Sequence, residues 1–416
     1  MAREGIITGL DIGSTTIRVA VGQMKPEDRS VHIIGCAEAP SEGISKGVVT
    51  SIEDAVASVS QALEKAERMT GIPVEHAYVS LNGSHVLSQD SHGVVAVAKA
   101  NGEIGEDDVK RVIEAAQTVA TPPNYEILHV IPRQFTVDNQ TGIKDPLGMT
   151  GIKLEVDAQI ILGLTSQVKN LTKVIYRTGV DIDELVIGVL AASESVLTKR
   201  QKDLGVALLN LGGLTSGLMV FEEGEVLHTK ILPVGAGHIT NDIAIGLRTS
   251  VDLAERIKTE FGTVIPDDVG KHEEIDLAKM DPNEAVRVSR REVAEIIQAR
   301  LEEIFSMVNA ELKQIERQGS LPAGIVITGG GAKLQGLVEM AKATFALPAS
   351  VGAPAQFQTA IDKVYDPVFA TAVGLVMWGA AQQRSGNAGD KVFIPSFSAV
   401  ADVTDKMKKW FKNLMP

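Results

Sequence analysis

Cysteine and aromatic residues are scarce in this 416-residue chain, and each scarcity excludes a class of structure. The single cysteine, Cys36, excludes an internal disulfide framework and fits a reducing compartment. With only two tryptophans, four tyrosines and ten phenylalanines, the core must consist mainly of Val, Ile, Leu and Ala. No apolar run reaches the roughly 18 residues of a membrane-spanning helix, and no secretory signal follows Met1. The composition, 44% hydrophobic and 22% charged, indicates a soluble globular protein.

Positive charge is also in short supply, except at the C-terminal end. The chain has 40 Lys and Arg against 53 Asp and Glu, and this net charge of −13 argues against nucleic acid as a partner. In contrast, residues 404–416 contain four lysines, one aspartate and Trp410. This contrast predicts a separate function for the tail.

One order of elements occurs twice along the chain. A strand, a glycine-containing turn, two further strands and a helix are predicted over residues 6–71. The same order is predicted again from Gly205 to beyond Gly237. The matching turns 11–14 and 210–213 are 199 residues apart. We interpret this pattern as an internal duplication that produces two similar α/β halves facing each other.

Three glycine turns each follow a predicted strand, at residues 11–16 (DIGSTT), 210–216 (NLGGLTS) and 328–331 (TGGG). Glycine lets backbone N–H groups approach phosphate oxygens closely, and a carboxylate such as Asp11 can hold Mg²⁺ through water. Each turn alone is equally consistent with an ordinary tight connection. Together, in a duplicated chain, the three turns predict a phosphate-binding cleft between the halves.

Two segments lie outside the repeat. Residues 84–165 mix strand-like runs with one helical run, and residues 263–320 contain a long helix predicted from about residue 290 to 318. The predicted units are 1–83 and 166–204 (first half), 84–165 (inserted subdomain), 205–262 and 321–384 (second half), 263–320 (helical subdomain), 385–402 (linker) and 403–416 (tail helix).

The glycine turns resemble the two phosphate motifs and the adenosine motif of the actin, heat-shock-70 and sugar-kinase superfamily. Residues 254–258 (AERIK) resemble the helix whose Glu and Lys contact the nucleotide in bacterial actins, and residues 370–374 (ATAVG) resemble the second connecting helix. The implied nucleotide-binding residues are Asp11, Gly13, Ser14, Thr15, Thr16, Gly212, Gly213, Thr215, Glu255, Lys258, Gly329, Gly330 and Gly331. The implied cofactors are ATP and Mg²⁺, with Asp11 holding the metal through water.

The position of the insertion narrows the resemblance to one family. Actins place a subdomain between the third strand and the first helix, where this chain has only residues 38–50, and its extra segment comes later. That arrangement, with the runs 41–47 and 128–132, is similar to the FtsA family of bacterial cell-division proteins. The resemblance implies an actin-like duplicated α/β ATPase fold, an FtsA-type inserted subdomain and a C-terminal amphipathic helix. It also implies that the inserted subdomain serves filament or partner contacts rather than nucleotide binding.

The second phosphate turn departs from the family pattern. Relatives usually carry Asp and Gly where this chain has Asn210 and Leu214. In the first turn, many relatives carry Lys where this chain has Thr16. The missing carboxylate removes an anchor for metal-bound water, and Leu214 places a bulky side chain beside the phosphates. We therefore expect ATP to bind, with weak or absent hydrolysis.

The tail has the pattern of an amphipathic helix that lies on a membrane. One face carries apolar residues and the flanks carry lysines. The predicted membrane contacts are Val403, Met407, Trp410, Phe411 and Leu414, with Lys406, Lys408, Lys409 and Lys412 facing anionic lipid. At 14 residues it spans about 21 Å, which is too short to cross a bilayer. The alternative is a C-terminal helix docked on its own core.

The resemblance implies a set of partners and a location. The chain would self-associate into filaments and tie the ring of the tubulin-like protein FtsZ to the cytoplasmic face of the bacterial inner membrane at the division site. The helical subdomain would bind the C-terminal peptide of FtsZ, with Arg300 pairing with acidic groups, and other division proteins would bind elsewhere. A small-molecule kinase of the same superfamily and a chaperone-type ATPase are the alternatives. A kinase has no need of the tail, and a chaperone needs a large domain after residue 385.

Overall fold

The computed structural model describes residues 5–25, 30–118, 121–281 and 286–387, with side chains up to residue 384. The first part of the chain forms a mixed sheet with one long helix. Its elements are β1 (Ile6–Ile12), β2 (Thr16–Met24), β3 (Val31–Pro40), β4 (Ile44–Ser45), β5 (Val48–Val49), α1 (Ile52–Thr70) and β6 (His76–Leu81). Helix α1 begins and ends where the sequence predicts. The Ser51 side chain accepts a hydrogen bond from the Asp54 N–H, and Gly71 ends the helix with φ 67°.

The inserted segment forms its own four-stranded antiparallel sheet, covered on one face by a helix. Its elements are β7 (Val86–Ala96), α2 (Glu106–Gln117), β8 (Tyr125–Val137), β9 (Gln140–Ile143) and β10 (Lys153–Leu164), in the order β7-β10-β8-β9. A separate cluster of buried residues lies between α2 and this sheet. The chain then returns to the first half through α3 (Thr165–Arg177), β11 (Asp181–Ile187), α4 (Gly188–Val196) and α5 (Lys199–Leu204).

The second half repeats the plan of the first. It contains β12 (Val206–Leu211), β13 (Ser216–Glu222), β14 (Glu225–Leu232), α6 (Ala236–Leu247), α7 (Val251–Phe261), β15 (Glu274–Asp276), β16 (Arg287–Ser289), α8 (Arg290–Gln314), β17 (Ile325–Thr328), α9 (Leu337–Phe345) and β18 (Ala349–Val351). The last described elements are β19 (Gln358–Thr359), which pairs with β3, and α10 (Ala370–Asn387).

The two large sheets have the same strand order and direction, which confirms the predicted duplication. The sheets run β3-β2-β1-β6-β11 and β14-β13-β12-β17-β18, with β19 added at the β3 edge. In each, the first three strands pair antiparallel and the last three pair parallel. Helices α4 and α10 cross at backbone contact, because a Cβ on Gly374 would lie 1.8 Å from the Ala191 carbonyl oxygen.

Two helix boundaries differ from the prediction for reasons of backbone geometry. Helix α8 ends at Gln314 rather than near residue 318, because Glu316 has a left-handed φ of 58° and the Arg317 N–H turns back to the Leu312 carbonyl. The sequence pattern after the third glycine turn predicts a helix from Leu334, and α9 begins instead at Leu337, because Gly336, with φ 81°, precedes it as the N-cap.

The linker beyond Asn387 and the tail helix 403–416 lie outside the described residues. In the part of the chain that is described, none of the helices combines the length and apolar character needed to cross a bilayer.

Candidate nucleotide-binding site

A cavity of about 940 Å³ lies between the two halves, where the three glycine turns meet. All thirteen residues implied by the resemblance line it: Asp11, Gly13, Ser14, Thr15, Thr16, Gly212, Gly213, Thr215, Glu255, Lys258, Gly329, Gly330 and Gly331. The duplicated fold brings the turns together because the first two follow the inner strands β1 and β12 and the third follows β17, the neighbour of β12. No described residue of the segment 84–165 lines the cavity.

Asp11 is buried at the end of β1 and is held from one side. Ser80 Oγ donates to Asp11 Oδ1 at 2.7 Å, and Asn82 Nδ2 donates to the same oxygen at 3.3 Å. Ser80 Oγ in turn accepts the Ile12 N–H at 2.8 Å. Burial raises the pKa of Asp11, and the hydrogen bonds and the Arg18 charge offset this only in part. A nearby cation would stabilise the ionised form of this buried carboxylate, which suits a residue that holds Mg²⁺.

The first and second turns touch each other across the cleft. A Cβ on Gly213 would lie 2.5 Å from Thr15 Cγ2, so only glycine allows this approach. Ser14 Oγ accepts the Gly47 N–H at 3.0 Å, which ties the first turn to the chain between β4 and β5. The backbone of both turns therefore lies directly at the cavity wall.

The second turn carries the two departures from the family pattern, and both line the cavity. Asn210 Nδ2 donates to Thr371 Oγ1 at 3.1 Å and so joins β12 to α10. Leu214 packs toward the start of α6, since a Cβ on Gly237 would lie 3.2 Å from Leu214 Cδ2. The cavity wall therefore has the Asn210 amide where the resemblance implies a carboxylate. It has the apolar side chain of Leu214 where the resemblance implies glycine.

The third turn has one position that is open to the cavity. Gly329 has φ 86°, and a Cβ on Gly331 would lie 2.4 Å from Leu211 Cγ, so both positions need glycine. A Cβ on Gly330 would find its nearest neighbour, Val368 Cγ1, 4.0 Å away. The backbone at Gly330 is therefore the point in this turn that a ligand can approach closely.

Glu255 and Lys258 form a partly buried pair rather than a solvated pair on a helix surface. Lys258 is 8% exposed, and its ammonium donates to Ala236 O at 3.2 Å, Thr240 Oγ1 at 2.8 Å and Glu255 Oε2 at 2.6 Å. All three ammonium donors of Lys258 therefore have protein partners, which tie α6 to α7. The hydrogen bonds of Glu255 use Oε2, so Oε1 remains for a hydroxyl donor.

Sequence reasoning missed several polar residues of the cavity wall. They are Arg18, Asn82, Asn241, Lys333 and Thr371. Arg18 pairs with Asp11 across β1 and β2, and its Nε lies 3.4 Å from Glu38 Oε2. The sequence does contain a signal for Arg18. It follows the first turn by two residues, and the pairing of β1 with β2 in a hairpin places it opposite Asp11. Asn82 reaches the cavity from a distant part of the chain and left no local pattern, whereas Thr371 lies in the run 370–374 that resembles the second connecting helix.

The residues present fit a nucleoside triphosphate with Mg²⁺. The volume falls within the range of about 300–1,000 Å³ that is usual for ligand pockets. Arg18, Lys258 and Lys333 place positive charge in the wall, and the glycine turns expose backbone. No cluster of three or more His, Cys, Asp or Glu that could hold a metal occurs among the described residues. Mg²⁺ bound by one carboxylate and by phosphates needs no such cluster.

Arg300, the predicted contact for an acidic peptide, is already paired with Asp242 of α6 and with Glu303 of its own helix, α8. Its guanidinium binds both carboxylate oxygens of Asp242, at 2.6 and 2.9 Å, and also contacts Glu303. These contacts raise the pKa of Arg300, which stays charged. A peptide carboxylate would have to compete with Asp242, so the role of Arg300 stays a prediction.

Comparison with known proteins identifies the family. The family model "Cell division protein FtsA" matches residues 207–374, and the model "SHS2 domain inserted in FTSA" matches residues 83–162. Cell division protein FtsA of Pseudomonas aeruginosa is 35% identical over 411 residues, covering 98% of both chains. The protein of the same name from Bacillus subtilis is 38% identical over 384 residues, covering 92% of this chain and 86% of the relative.

Solved structures show the same architecture at low identity. The PilM-PilN type IV pilus biogenesis complex superposes with a TM-score of 0.65 at 16% identity, covering 90% of this chain and 98% of the other. MreB5 of Spiroplasma citri, solved with ADP bound, gives 0.55 at 13% identity, covering 92% and 99%. These likenesses show the fold alone, which is actin-like as expected. With relatives above 30% identity along nearly the whole chain, this protein belongs to the FtsA family of cell-division proteins.

Proposed function

We propose that this chain is an ATP-binding, actin-like adaptor of bacterial cell division. It polymerises and tethers FtsZ to the cytoplasmic face of the inner membrane at the division site. The observation that carries the proposal is the convergence of three glycine turns on one cavity between duplicated halves. Family membership favours this role over the kinase and chaperone alternatives.

ATP binding is assigned to the cavity residues by their chemistry. Backbone at Gly213 and Gly330 and the side chains of Ser14 and Thr15 surround the phosphates, and Glu255 Oε1 accepts from a ribose hydroxyl. Mg²⁺, when bound, neutralises phosphate charge, and Asp11 holds it through water. In the first half, Ser80 and Asn82 fix the carboxylate of Asp11 for this purpose.

Membrane attachment is assigned to residues 403–416. Each lysine near an anionic leaflet contributes about 1 kcal/mol, so a single tail binds weakly and reversibly. A filament links many tails, and their effective concentration strengthens attachment without any new contact. Polymerisation would therefore control whether the protein stays on the membrane.

The Trp410→Glu change is expected to release the protein from anionic vesicles without lowering its melting temperature. It places a carboxylate on the apolar face of the tail and repels anionic lipid. Co-sedimentation with vesicles containing phosphatidylglycerol checks this, with and without ATP, beside a chain truncated to residues 1–402. Trp378→Phe, in α10 of the described body, is the aromatic control and should still sediment. A large loss of melting temperature with membrane binding retained would assign the tail to the core instead.

FtsZ recruitment gives a second test, in which two changes have opposite effects. Asp242→Asn removes one of the two negative charges that pair with Arg300 and should strengthen binding of the acidic FtsZ C-terminal peptide, whereas Arg300→Gln should weaken it about tenfold. Fluorescence anisotropy with the labelled peptide measures both. Arg291→Gln, on the same helix and paired with Asp267 and Glu295, is the matched control. Equal affinities for both variants would remove Arg300 from the binding surface.

A further inference from the structure

The inserted sheet lies along β14, the edge strand of the second-half sheet. Ser88 Oγ donates to the Thr229 carbonyl at 2.9 Å, and Thr229 Oγ1 donates to Gln159 Oε1 at 2.7 Å. Thr229 and Gln159 are 2% and 1% exposed, so this is a buried contact between the inserted subdomain and the second half. Lys144 adds a hydrogen bond to the Glu223 carbonyl in the turn that precedes β14.

Arg133 makes the central contact, at a β-bulge. The pairing of β13 with β14 shifts register so that Leu227 has no partner on β13. A bulge leaves backbone groups outside the ladder of hydrogen bonds. Arg133 Nε donates to Val226 O at 3.0 Å and Nη2 donates to Leu227 O at 2.7 Å, so one guanidinium satisfies two consecutive carbonyls. Arg133 also lies 2.9 Å from Asp90 of β7, which fixes its orientation.

The strand that Arg133 holds leads into α6, whose first residues are hydrogen-bonded to the second phosphate turn. After β14 the chain enters α6, and the Ala236 N–H donates to Gly212 O at 2.8 Å and the Gly237 N–H to Gly213 O at 2.6 Å. Ile231, in β14 itself, lines the cavity. A shift of the bulge along the strand would therefore move the second turn relative to the first.

We propose that the inserted subdomain braces the nucleotide cavity through β14, with Arg133 as the positioning residue. The proposal rests on the proposed nucleotide binding. Within the described part of the chain, the hydrogen-bond and ion-pair partners of Arg133 are Val226, Leu227 and Asp90, none of which lines the cavity, so Arg133 acts through the strand. Because coupling between two sites is reciprocal, nucleotide in the cavity also tightens the contact of the inserted subdomain with β14. The inserted subdomain, which is expected to contact the next subunit or a partner, thereby responds to the nucleotide state.

The test compares Arg133→Ala, Arg133→Lys and the control Arg111→Ala in the full chain. Arg111 is also in the inserted subdomain and donates to a backbone carbonyl, Ala96 O, at 2.8 Å, but its contacts stay within that subdomain. Binding of a fluorescent ATP analogue with Mg²⁺ is measured by titration. Hydrogen exchange of β8 and β14 is followed with and without ATP. Arg133→Ala should weaken nucleotide binding about tenfold and abolish the ATP-dependent protection of β8. Arg133→Lys should restore part of both, and Arg111→Ala should change neither.

Two results separate the failure of this proposal from the failure of nucleotide binding. If Arg133→Ala binds ATP as the parent does and ATP protects β8 equally in both, the brace is wrong and nucleotide binding stands. If the parent itself binds no nucleotide, the proposed function fails, and exchange without ligand decides the brace. Faster exchange of β14 and residues 212–215 in Arg133→Ala would support it, and unchanged exchange would overturn it. If Arg133→Ala does not fold, Arg133→Lys with Ser88→Ala gives the same comparison.

Discussion

At pH 8 the Glu184→Gln variant is expected to be more stable than the parent by up to about 3 kcal/mol, whereas at pH 5 the difference should be below about 1 kcal/mol. Glu184 in β11 is 7% exposed, and burial raises its pKa to about 7 although Trp378 Nε1 donates to Oε2 at 2.9 Å. The other oxygen, Oε1, has no hydrogen-bond partner among the described residues and lies 3.9 Å from His129 Nδ1. The negative charge of Asp183 also raises the pKa.

The direction of the effect follows from proton uptake. The ordinary glutamate pKa is 4.5, so the folded protein binds a proton more tightly than the unfolded chain does. The stability due to this proton is fully present below pH 4.5 and is lost as the pH rises through about 7. Glutamine keeps an acceptor for Trp378 and carries no charge, so it escapes this loss.

His129 does not rescue the ionised form of Glu184. Burial lowers the pKa of His129 to about 4, and its Nε2 accepts the Ile187 N–H at 3.3 Å, so the ring is neutral at pH 5 to 8. The pair is therefore not an ion pair, in spite of its proximity. Its own acid sensitivity is shared by parent and variant and cancels in their difference.

Melting temperatures of parent, Glu184→Gln and the exposed control Glu64→Gln at pH 5, 6, 7 and 8 measure the effect. The expected result is a gap that opens only for Glu184→Gln, is small at pH 5, widens through pH 6 and 7, and levels off near pH 8. Parallel curves for parent and Glu184→Gln over the whole range would mean that Glu184 titrates in the folded state as it does in the unfolded chain.

The double change Asn210→Asp with Leu214→Gly is expected to raise ATP hydrolysis at least about tenfold over a slow or undetectable parent rate. Asn210 and Asp11 are each the next-to-last residue of the first strand in their sheets. An aspartate at 210 keeps its contact with α10, since the Thr371 hydroxyl can donate where it now accepts. Glycine at 214 removes the apolar chain from the cavity wall.

A phosphate-release assay with Mg²⁺ measures this rate in the parent, the double variant and a triple variant that adds Asp11→Asn. The triple variant should return to the parent rate, because it lacks the Asp11 carboxylate at the end of β1, which is needed for metal binding. Robust turnover by the parent, unaffected by Asp11→Asn, would contradict the assignment of both turns.

The parts of the fold that the sequence predicts are those set by local signals. Ser51 and Gly71 mark the ends of α1, and the glycine turns after β1, β12 and β17 mark the cavity, because caps and positive φ leave residue-level signatures. The end of α8 was missed because the left-handed Glu316 is no typical stop residue, and Arg317 is fixed by Glu222, 95 residues earlier.

Long-range contacts had no local signature. Ser88 and Thr229 are 141 residues apart, and Asn82 reaches Asp11 from 71 residues away, so neither pairing could be predicted from periodicity or spacing. The resemblance predicted that Lys258 binds the nucleotide, and Lys258 lies in the cavity wall. It could not reveal that all three donors of Lys258 are engaged by Ala236, Thr240 and Glu255.

The covered edge of β14 also affects the tendency of the protein to aggregate at high concentration. A bare sheet edge is a template for backbone pairing with another molecule, and such pairing is hard to reverse. Here the inserted subdomain occupies the flank of β14, while the opposite edge strand of that sheet, β18, has only three residues and the edge strand β19 of the first sheet only two. These edges offer little backbone for a continuous intermolecular sheet. In the filament proposed above, neighbouring subunits would therefore meet at these three edges through side chains, which would keep that contact reversible.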